Sequence, residues 1–122
     1  MAKKKKKALK FDAEKLRMDL IPPEVVESLA KVLGYGAAKY GENNYQAGIR
    51  WSRYYAALLR HLFAWWGGED DDPESGFHHL DHVLANAAIL LMFVRKGAKK
   101  WDDRPGEKKK PEKHPQIGRA HV

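Results

Sequence analysis

Three polar side chains share one face of a helical pattern in the second half of the chain. With His79 set at 0°, a rotation of about 100° per residue puts His82 near −60° and Asn86 near −20°. The same face continues through Leu90 and Phe93, which are apolar. A core-facing stripe that is polar over its first two turns indicates a buried polar site rather than a purely structural helix.

The preceding helical pattern adds basic groups. It consists of apolar residues at three- and four-residue spacing, which predict a helix: Trp51, Tyr54, Tyr55, Leu58, Leu59, Leu62, Phe63 and Trp66. Arg53 and Arg60 are seven residues apart and so share a face, with Ala57 and Ala64 as small neighbours. This face leaves room for an anion, and His61 lies at its border.

Carboxylates are concentrated between these two patterns. Carboxylate oxygens suit a hard cation such as Mg²⁺, and the candidates fall into two groups. Glu69, Asp72 and Glu74 are the main candidates, and Asp70, Asp71 and Asp81 are the lesser ones. Asp81 is predicted to face water. If His61, His79 and His82 converge, their imidazole nitrogens would suit a transition metal better than Mg²⁺.

Each of these groups also has a purely structural explanation. Histidines on helices are usually core or surface residues, and an acidic run is usually a solvated loop. Arg53 and Arg60 could pair with Glu69 or Asp72 in a network that only stabilises the loop. Asp72 before Pro73 also fits a helix N-cap followed by the first helical residue. The residues alone leave these alternatives open.

Three helices are expected to position the candidate groups. The first begins at Pro22-Pro23, with Gly34 and Gly36 allowing a close crossing or a break. The second begins near Ser52, a predicted N-cap, and ends at Trp66. The third runs from about Phe77 to Arg95. No strand is predicted, so the fold class is all-α, a compact bundle of three main helices.

The later part of the third helix is apolar nearly all round. This pattern predicts either a central helix or a subunit interface, and we expect a homo-oligomer that associates through this helix. Between the first two helices, a polar and aromatic loop that includes Lys39, Tyr40 and Asn44 could stack against a planar ring or could simply connect the helices.

Composition limits the function classes. The chain has 122 residues and no cysteine, which excludes thiolate sites. Without an apolar run of about 18 residues or a signal-peptide pattern, we expect a cytoplasmic protein that does not associate with membranes. The net charge of +7 arises in the ends, because residues 11–94 contain seven Lys/Arg and twelve Asp/Glu. The predicted division is a basic disordered tail over 1–10, an all-α catalytic-like domain over 11–95, and a basic, mostly disordered tail over 96–122, from which Trp101 packs back.

The motifs resemble a known family. They are Arg17-Met18-Asp19-Leu20-Ile21-Pro22-Pro23, Tyr35-Gly36, Lys39-Tyr40-Gly41, Asn44, Trp51-Ser52-Arg53, Arg60-His61, Trp65-Trp66, Gly68-Glu69, Asp72-Pro73-Glu74-Ser75-Gly76, His79, His82 and Asn86. In this order, over roughly residues 10 to 95, they resemble the phage and bacterial family named for dATP/dGTP diphosphohydrolase. The resemblance implies hydrolysis of a purine deoxynucleoside triphosphate to the monophosphate and pyrophosphate.

A looser resemblance is to the MazG-type all-α nucleoside triphosphate pyrophosphohydrolases, which are helical dimers or tetramers. Those enzymes hold magnesium with a glutamate-rich helix and a Glu-x-x-Asp pair on the next helix. Here His79-x-x-His82 stands where that pair would be, and Arg60-His61 replaces the glutamates.

The functional prediction is metal-dependent hydrolysis of a (deoxy)nucleoside triphosphate. The predicted catalytic residues are His61, His79, His82 and Glu69; the metal ligands are Glu69, Asp72, Glu74, His79 and His82; the substrate-binding residues are Lys39, Tyr40, Asn44, Arg53, Arg60 and Asn86. The metal is Mg²⁺ or Mn²⁺, with a transition metal as the alternative. The rival hypotheses are a non-catalytic helical module whose basic tails bind nucleic acid or a phage partner, and an enzyme that acts on another phosphate ester. Even in the enzyme, the tails would give weak, non-specific contact with nucleic acid.

Overall fold

Three α-helices form the body of the protein in a computed structural model that describes residues 7–106. Helix α1 spans Pro23–Tyr40, α2 spans Trp51–Trp66 and α3 spans His79–Arg95. Short 3₁₀ turns occupy Met18–Leu20, Asn44–Ala47 and Lys99–Trp101. The described residues contain no β-strand beyond one isolated bridge between Asp71 and His78. The all-α prediction is confirmed.

Helix α3 is central, because it packs against both α2 and α1. Its buried residues Ile89 and Phe93 form the core with Trp51 of α2. The Trp51 and Phe93 rings stack with centroids 6.4 Å apart. Partly buried residues surround this cluster: Tyr45, Tyr54, Leu90, Ala98 and Trp101. A central position accounts for most of the apolar character of α3, and self-association stays a prediction.

Helix α1 is continuous through Gly34 and Gly36. A Cβ atom built on either glycine would have nothing within 4 Å, so the expected break or close helix crossing is wrong. The helix begins with Pro23 in its first turn and ends at Gly41, whose φ is 98°. The two glycines instead leave open space beside the cleft described below.

The start of α2 is held from outside the helix. The predicted capping role of Ser52 is wrong, because Arg50 occupies the N-cap position and makes no side-chain capping bond. The Ser52 amide instead donates to Asp103 Oδ1 at 2.9 Å, and its hydroxyl contacts Asp103 Oδ2. The segment after α3 therefore returns to α2. The expectation that Trp101 packs on the body is confirmed.

Helix α3 begins two residues later than expected, and the capping role of Asp72 is wrong. The N-cap is His78, whose side chain accepts the amide of Leu80 at 2.9 Å. The preceding segment is a tight loop closed by backbone bonds from Asp72 N to Phe77 O at 2.7 Å and from His79 N to Asp70 O at 2.8 Å. Gly76 supplies its positive φ of 78°.

Two further predictions concern the basic tails and membrane association. Residues 1–6 and 107–122, which hold most of the predicted basic tails, lie outside the described residues. The division into tails and domain therefore stays a prediction. In the described part of the chain, no helix has the length and apolar character needed to cross a membrane.

Candidate active site

A cleft of about 1040 Å³ opens between the second half of α1, the following loop and the facing sides of α2 and α3. Every residue predicted for the site lines it: Lys39, Tyr40, Asn44, Arg53, Arg60, His61, Glu69, Asp72, Glu74, His79, His82 and Asn86. The structure therefore brings together residues from three helices and two loops that are up to 47 positions apart in sequence.

Three histidines meet at the inner end of the cleft, where α2 faces α3. His79 and His82 are buried, with 3% and 8% of their surface exposed. The Nδ1 atoms of His61 and His79 lie 2.8 Å apart. The rings of His61 and His82 stack, with centroids 4.3 Å apart and an interplanar angle of 7°. The i, i+3 spacing on α3 places two rings against the single histidine of α2.

Glu69 fixes the protonation pattern of this cluster. Its Oε1 lies 2.7 Å from His79 Nε2. An ionised carboxylate can only accept, so Nε2 of His79 carries the proton. In the neutral ring, Nδ1 of His79 then presents a lone pair towards His61. Without an ion, His61 Nδ1 must donate the hydrogen of that short contact.

His82 has a different partner, which sequence reasoning did not assign to the site. Its Nε2 lies 2.7 Å from Ser75 Oγ, and that hydroxyl also accepts the amide of Phe77 at 3.1 Å. Tyr35 meets the His82 ring nearly at a right angle, with centroids 6.4 Å apart. The available signal for Ser75 was its place three residues after Asp72, just before Gly76 in a turn-forming run. Tyr35 stood in the Tyr35-Gly36 motif, but the motif gave no role for its side chain.

Electrostatics favour neutral imidazoles beside an anionic carboxylate. Burial lowers the pKa of His61 and, despite the opposing charge of Asp72, also that of His82. Burial alone would raise the pKa of Asp72, but hydrogen bonds from the amide and hydroxyl of Ser75 outweigh it, and the net shift is downwards. At neutral pH the histidine lone pairs are therefore available for a proton or a metal.

His61, Asp72 and His79 form a group that could hold a metal ion. One ligand atom from each lies within 4.8 Å of the other two. Two nitrogens and one carboxylate oxygen are a donor set that suits ions of the Mn²⁺ to Zn²⁺ series. The residues present thus fit a divalent ion without a thiolate.

Glu74 and Lys39 are brought together away from this group. Lys39 Nζ lies 2.6 Å from Glu74 Oε2, and this bond raises the pKa of Lys39. The Glu74 side chain is 68% exposed. The pair links the end of α1 to the loop before α3, across the cleft.

Asp81 does not face water, and that prediction is wrong. Its side chain is only 16% exposed. It accepts the Ser28 hydroxyl at 2.6 Å and lies 3.2 Å from Lys31 Nζ, so it ties α3 to α1. Asp70 and Asp71 are exposed. The backbone carbonyl of Asp70 accepts the amide of His79, but within the described residues neither carboxylate is paired with the histidine cluster, and that of Asp70 lies 3.9 Å from His78 Nε2.

Arg53, Arg60 and Asn86 also had purely structural explanations, which the contacts of these residues test. Within residues 7–106, neither Arg53 nor Arg60 forms an ion pair with Glu69 or Asp72. Both line the cleft. Asn86 donates to the backbone carbonyl of His82 at 2.8 Å, so it holds the helix backbone as well as lining the cleft.

The chain matches the family described as dATP/dGTP diphosphohydrolase, N-terminal, over residues 5–104. It belongs to this family. A curated relative, a dATP/dGTP diphosphohydrolase of Salmonella phage PMBT28, is 40% identical over 86 residues, which cover 70% of this chain. The chain spans 28% of that relative's length. No solved structure matches. The resemblance noted in the sequence motifs is thus confirmed.

Proposed function

We propose that this domain hydrolyses a purine deoxynucleoside triphosphate, dATP or dGTP, to the monophosphate and pyrophosphate in a metal-dependent reaction. The family and the phage relative are named for this activity. The observation that carries the proposal is the cleft itself, which joins a buried group of histidines and carboxylates to arginines without carboxylate partners among the described residues.

Arg53 and Arg60 bind the phosphates in this proposal. Both residues line the cleft; Arg60 directly precedes His61 in α2, and Arg53 lies about two turns before it. Guanidinium groups give charge-assisted, often bidentate bonds to phosphate oxygens. Lys39 joins them once phosphate competes with Glu74 for its ammonium group. The three cations offset the charge of the triphosphate, which would otherwise be repelled by Glu69 and Asp72.

The reaction is attack of water on the α-phosphorus. A bond forms between the water oxygen and this phosphorus, the bond to the bridging oxygen breaks, and pyrophosphate leaves with that oxygen. The neutral His82 of the cluster accepts the proton of the water. Glu69 orients His79. When bound, the metal ion supplies charge stabilisation and polarises the reacting phosphate.

The purine lies at the outer end of the cleft. Tyr40 and Asn44 line this end, and Tyr40 is 62% exposed. An aromatic ring can stack on a purine, and an amide can both donate to and accept from its edge. Tyr45 and Tyr54 also line the cleft, where they pack against the core cluster.

A pyrophosphate-release assay tests the proposal. Purified protein is given each of the eight common NTPs and dNTPs with Mg²⁺, Mn²⁺, Co²⁺ or EDTA. We expect release from dATP or dGTP that stops in EDTA. Arg60→Gln should lower kcat/KM by about 10- to 100-fold, the value of a charge-assisted bond. The matched control is Arg95→Gln, because Arg95 is exposed and outside the cleft. If none of the nucleotides released pyrophosphate with any of the metals, the proposal would be overturned.

Self-association and a cytoplasmic location complete the proposed picture. Exposed apolar residues on α3, Leu91 at 52% and Val94 at 54%, favour pairing with a second copy through this helix. The soluble nucleotide pool is the substrate source that a cytoplasmic enzyme would use.

A further inference from the structure

The Nδ1 atoms of His61 and His79 face each other so closely that a proton or an ion must lie between them. At 2.8 Å, two imidazole nitrogens repel unless they share a proton or bind a common ion. Ligand bonds to imidazole of about 2.0–2.1 Å bring two neighbouring nitrogens of one ion to a separation of about 3 Å. The observed separation fits a coordinated pair as well as a hydrogen bond, and a carboxylate oxygen of Asp72 completes the group within 4.8 Å.

We propose that His61, His79 and Asp72 bind one transition-metal ion, and that Glu69 acts as the outer carboxylate that orients His79. This proposal names the metal class of the site, and for its biological role it rests on the proposed hydrolysis. It also divides the residues differently from the sequence prediction. His61 becomes a ligand, and Glu69, Glu74 and His82 do not coordinate the ion.

The ion is of the Mn²⁺ to Zn²⁺ series rather than Mg²⁺. Mg²⁺ takes oxygen ligands and keeps several waters, whereas imidazole suits the first-row transition ions. Two nitrogens against one carboxylate oxygen make this group nitrogen-rich. The ionised Asp72 and Glu69 together offset the charge of a divalent ion.

Glu69 has the position of an outer carboxylate. Its Oε1 lies 2.7 Å from Nε2 of His79, the nitrogen on the far side of the ring from His61. Metal-ligating histidines usually donate their other N–H to such a group. This bond holds His79 in the tautomer whose Nδ1 lone pair faces the ion.

The other candidates have hydrogen-bond partners of their own, and His82 Nε2 lies 3.8 Å from Asp72 Oδ2. His82 Nε2 lies 2.7 Å from the Ser75 hydroxyl, and its ring stacks on His61, so it positions His61. Glu74 pairs with Lys39 at 2.6 Å. Neither needs to move when an ion enters.

Binding changes the tautomer of His61. In the metal-free protein, the hydrogen between the two Nδ1 atoms is on His61, and the neutral ring carries no second hydrogen on Nε2. When the ion takes both Nδ1 lone pairs, this hydrogen leaves Nδ1 and one is taken up at Nε2, so the ring stays neutral and no net proton is released.

The test is a Co²⁺ titration of the EDTA-treated, dialysed protein without nucleotide. Visible absorption of the ion reports nitrogen ligands, and calorimetry gives the affinity for Co²⁺. The chain has six histidines. His114 and His121 are replaced by Asn throughout, so that only the described histidines remain. Circular dichroism checks that each variant is folded.

The variants separate ligands from their surroundings. We expect His61→Ala and Asp72→Asn to abolish the absorption change, and Glu69→Gln to weaken Co²⁺ binding by about 10- to 100-fold. The controls should bind as the parent does. His78→Asn removes the neighbouring histidine but keeps a capping side chain, and Asp71→Asn removes an exposed carboxylate of the same loop.

Several results would overturn the proposal. They are the absence of Co²⁺ binding, displacement of Co²⁺ by a modest excess of Mg²⁺, or equal weakening by the control variants and by His61→Ala. Since no nucleotide is present, failure here is distinct from failure of the hydrolysis. Tight Co²⁺ binding without pyrophosphate release would support the metal site and reject the proposed reaction.

Discussion

The histidines of the cleft combine burial with hydrogen bonds that select one protonation state. His79 donates to Glu69, and His82 contacts Ser75. Burial lowers the pKa of both His61 and His82. The folded protein therefore favours rings that are neutral and able to accept a proton or a metal at neutral pH, which is the state that the proposed chemistry requires.

This burial predicts a loss of stability in mild acid. The unfolded chain binds protons at the ordinary histidine pKa of about 6.5, while the folded pKa values of His61 and His82 lie below it. The unfolded state thus takes up more protons as the pH falls. Stability is full above about pH 6.5 and decreases as the pH drops towards the folded pKa values. Urea unfolding in EDTA at several pH values between neutral and mildly acidic measures this.

His82→Gln supplies the comparison. Glutamine can still bond the Ser75 hydroxyl but does not titrate, so the variant should lose less stability between neutral and mildly acidic pH than the parent does. An equal slope in parent and His82→Gln would show that His82 contributes nothing to the pH dependence.

Sequence patterns predicted which residues belong to the cleft, but they did not predict the hydrogen bonds that these residues make. Helical periodicity is local, so the common face of His79, His82 and Asn86 could be read directly. The bond from Glu69 to His79 and that from Ser75 to His82 depend on how the loop before α3 closes. That closure uses backbone bonds and the positive φ of Gly76, which spacing does not encode.

At the scale of the elements, the helices were predicted and so were the last residues of α2 and α3, Trp66 and Arg95, but the N-caps of these two helices were not. The apolar periodicity of α2 and α3 fixed their existence, because burial of a face dominates the choice of helix. Which side chain binds the first amides of a helix depends on how the neighbouring loops fold. Ser52 looked like a cap but binds Asp103, 51 positions away, and the side chain of His78 took the role predicted for Asp72.

The loop before α2 has one position where only glycine fits. A Cβ atom on Gly48 would lie 2.6 Å from Cζ2 of Trp101, and φ is +103°. We expect Gly48→Ala to lower the free energy of unfolding by about 1–3 kcal/mol, through overpacking and backbone strain. Urea unfolding followed by tryptophan fluorescence measures the change.

Gly34 is the matched control for this substitution. It lies inside α1 with nothing within 4 Å of a built Cβ, so Gly34→Ala should raise stability by about 0.5–1 kcal/mol. If Gly48→Ala were as stable as Gly34→Ala, the ring of Trp101 could not be packed on Gly48.

At the scale of the whole molecule, the segment after α3 belongs to the folded body. Trp101 packs against the core cluster, Asp103 binds the start of α2, and the Arg104 guanidinium lies 5.2 Å from the centroid of Trp51. For a chain cut after residue 95, the free energy of unfolding should therefore fall by an amount on the order of 3 kcal/mol, the cost of replacing a packed tryptophan with a small residue. A chain cut after residue 106 should keep the parental urea midpoint. Equal midpoints for the two would assign no structural role to residues 96–106.

Self-association is the last property of the whole molecule to be tested. Helix α3 carries an exposed, regularly spaced apolar stripe that could form the interface. Its apolar members recur at alternating spacings of four and three residues: Leu80, Leu84, Ala87, Leu91 and Val94. This is the spacing of a helix that packs along a second helix, and most of the stripe is exposed in the single chain. A charge placed in the middle of such a seam would be buried by association.

We therefore expect Leu91→Glu to convert an oligomer into a monomer while leaving the helical circular dichroism unchanged. Light scattering coupled to size-exclusion chromatography gives the mass of each form. The control is Val26→Glu, because Val26 is 55% exposed on α1, a similar exposure to the 52% of Leu91. A parent that is already monomeric, or an equal loss of mass in both variants, would remove α3 as the interface.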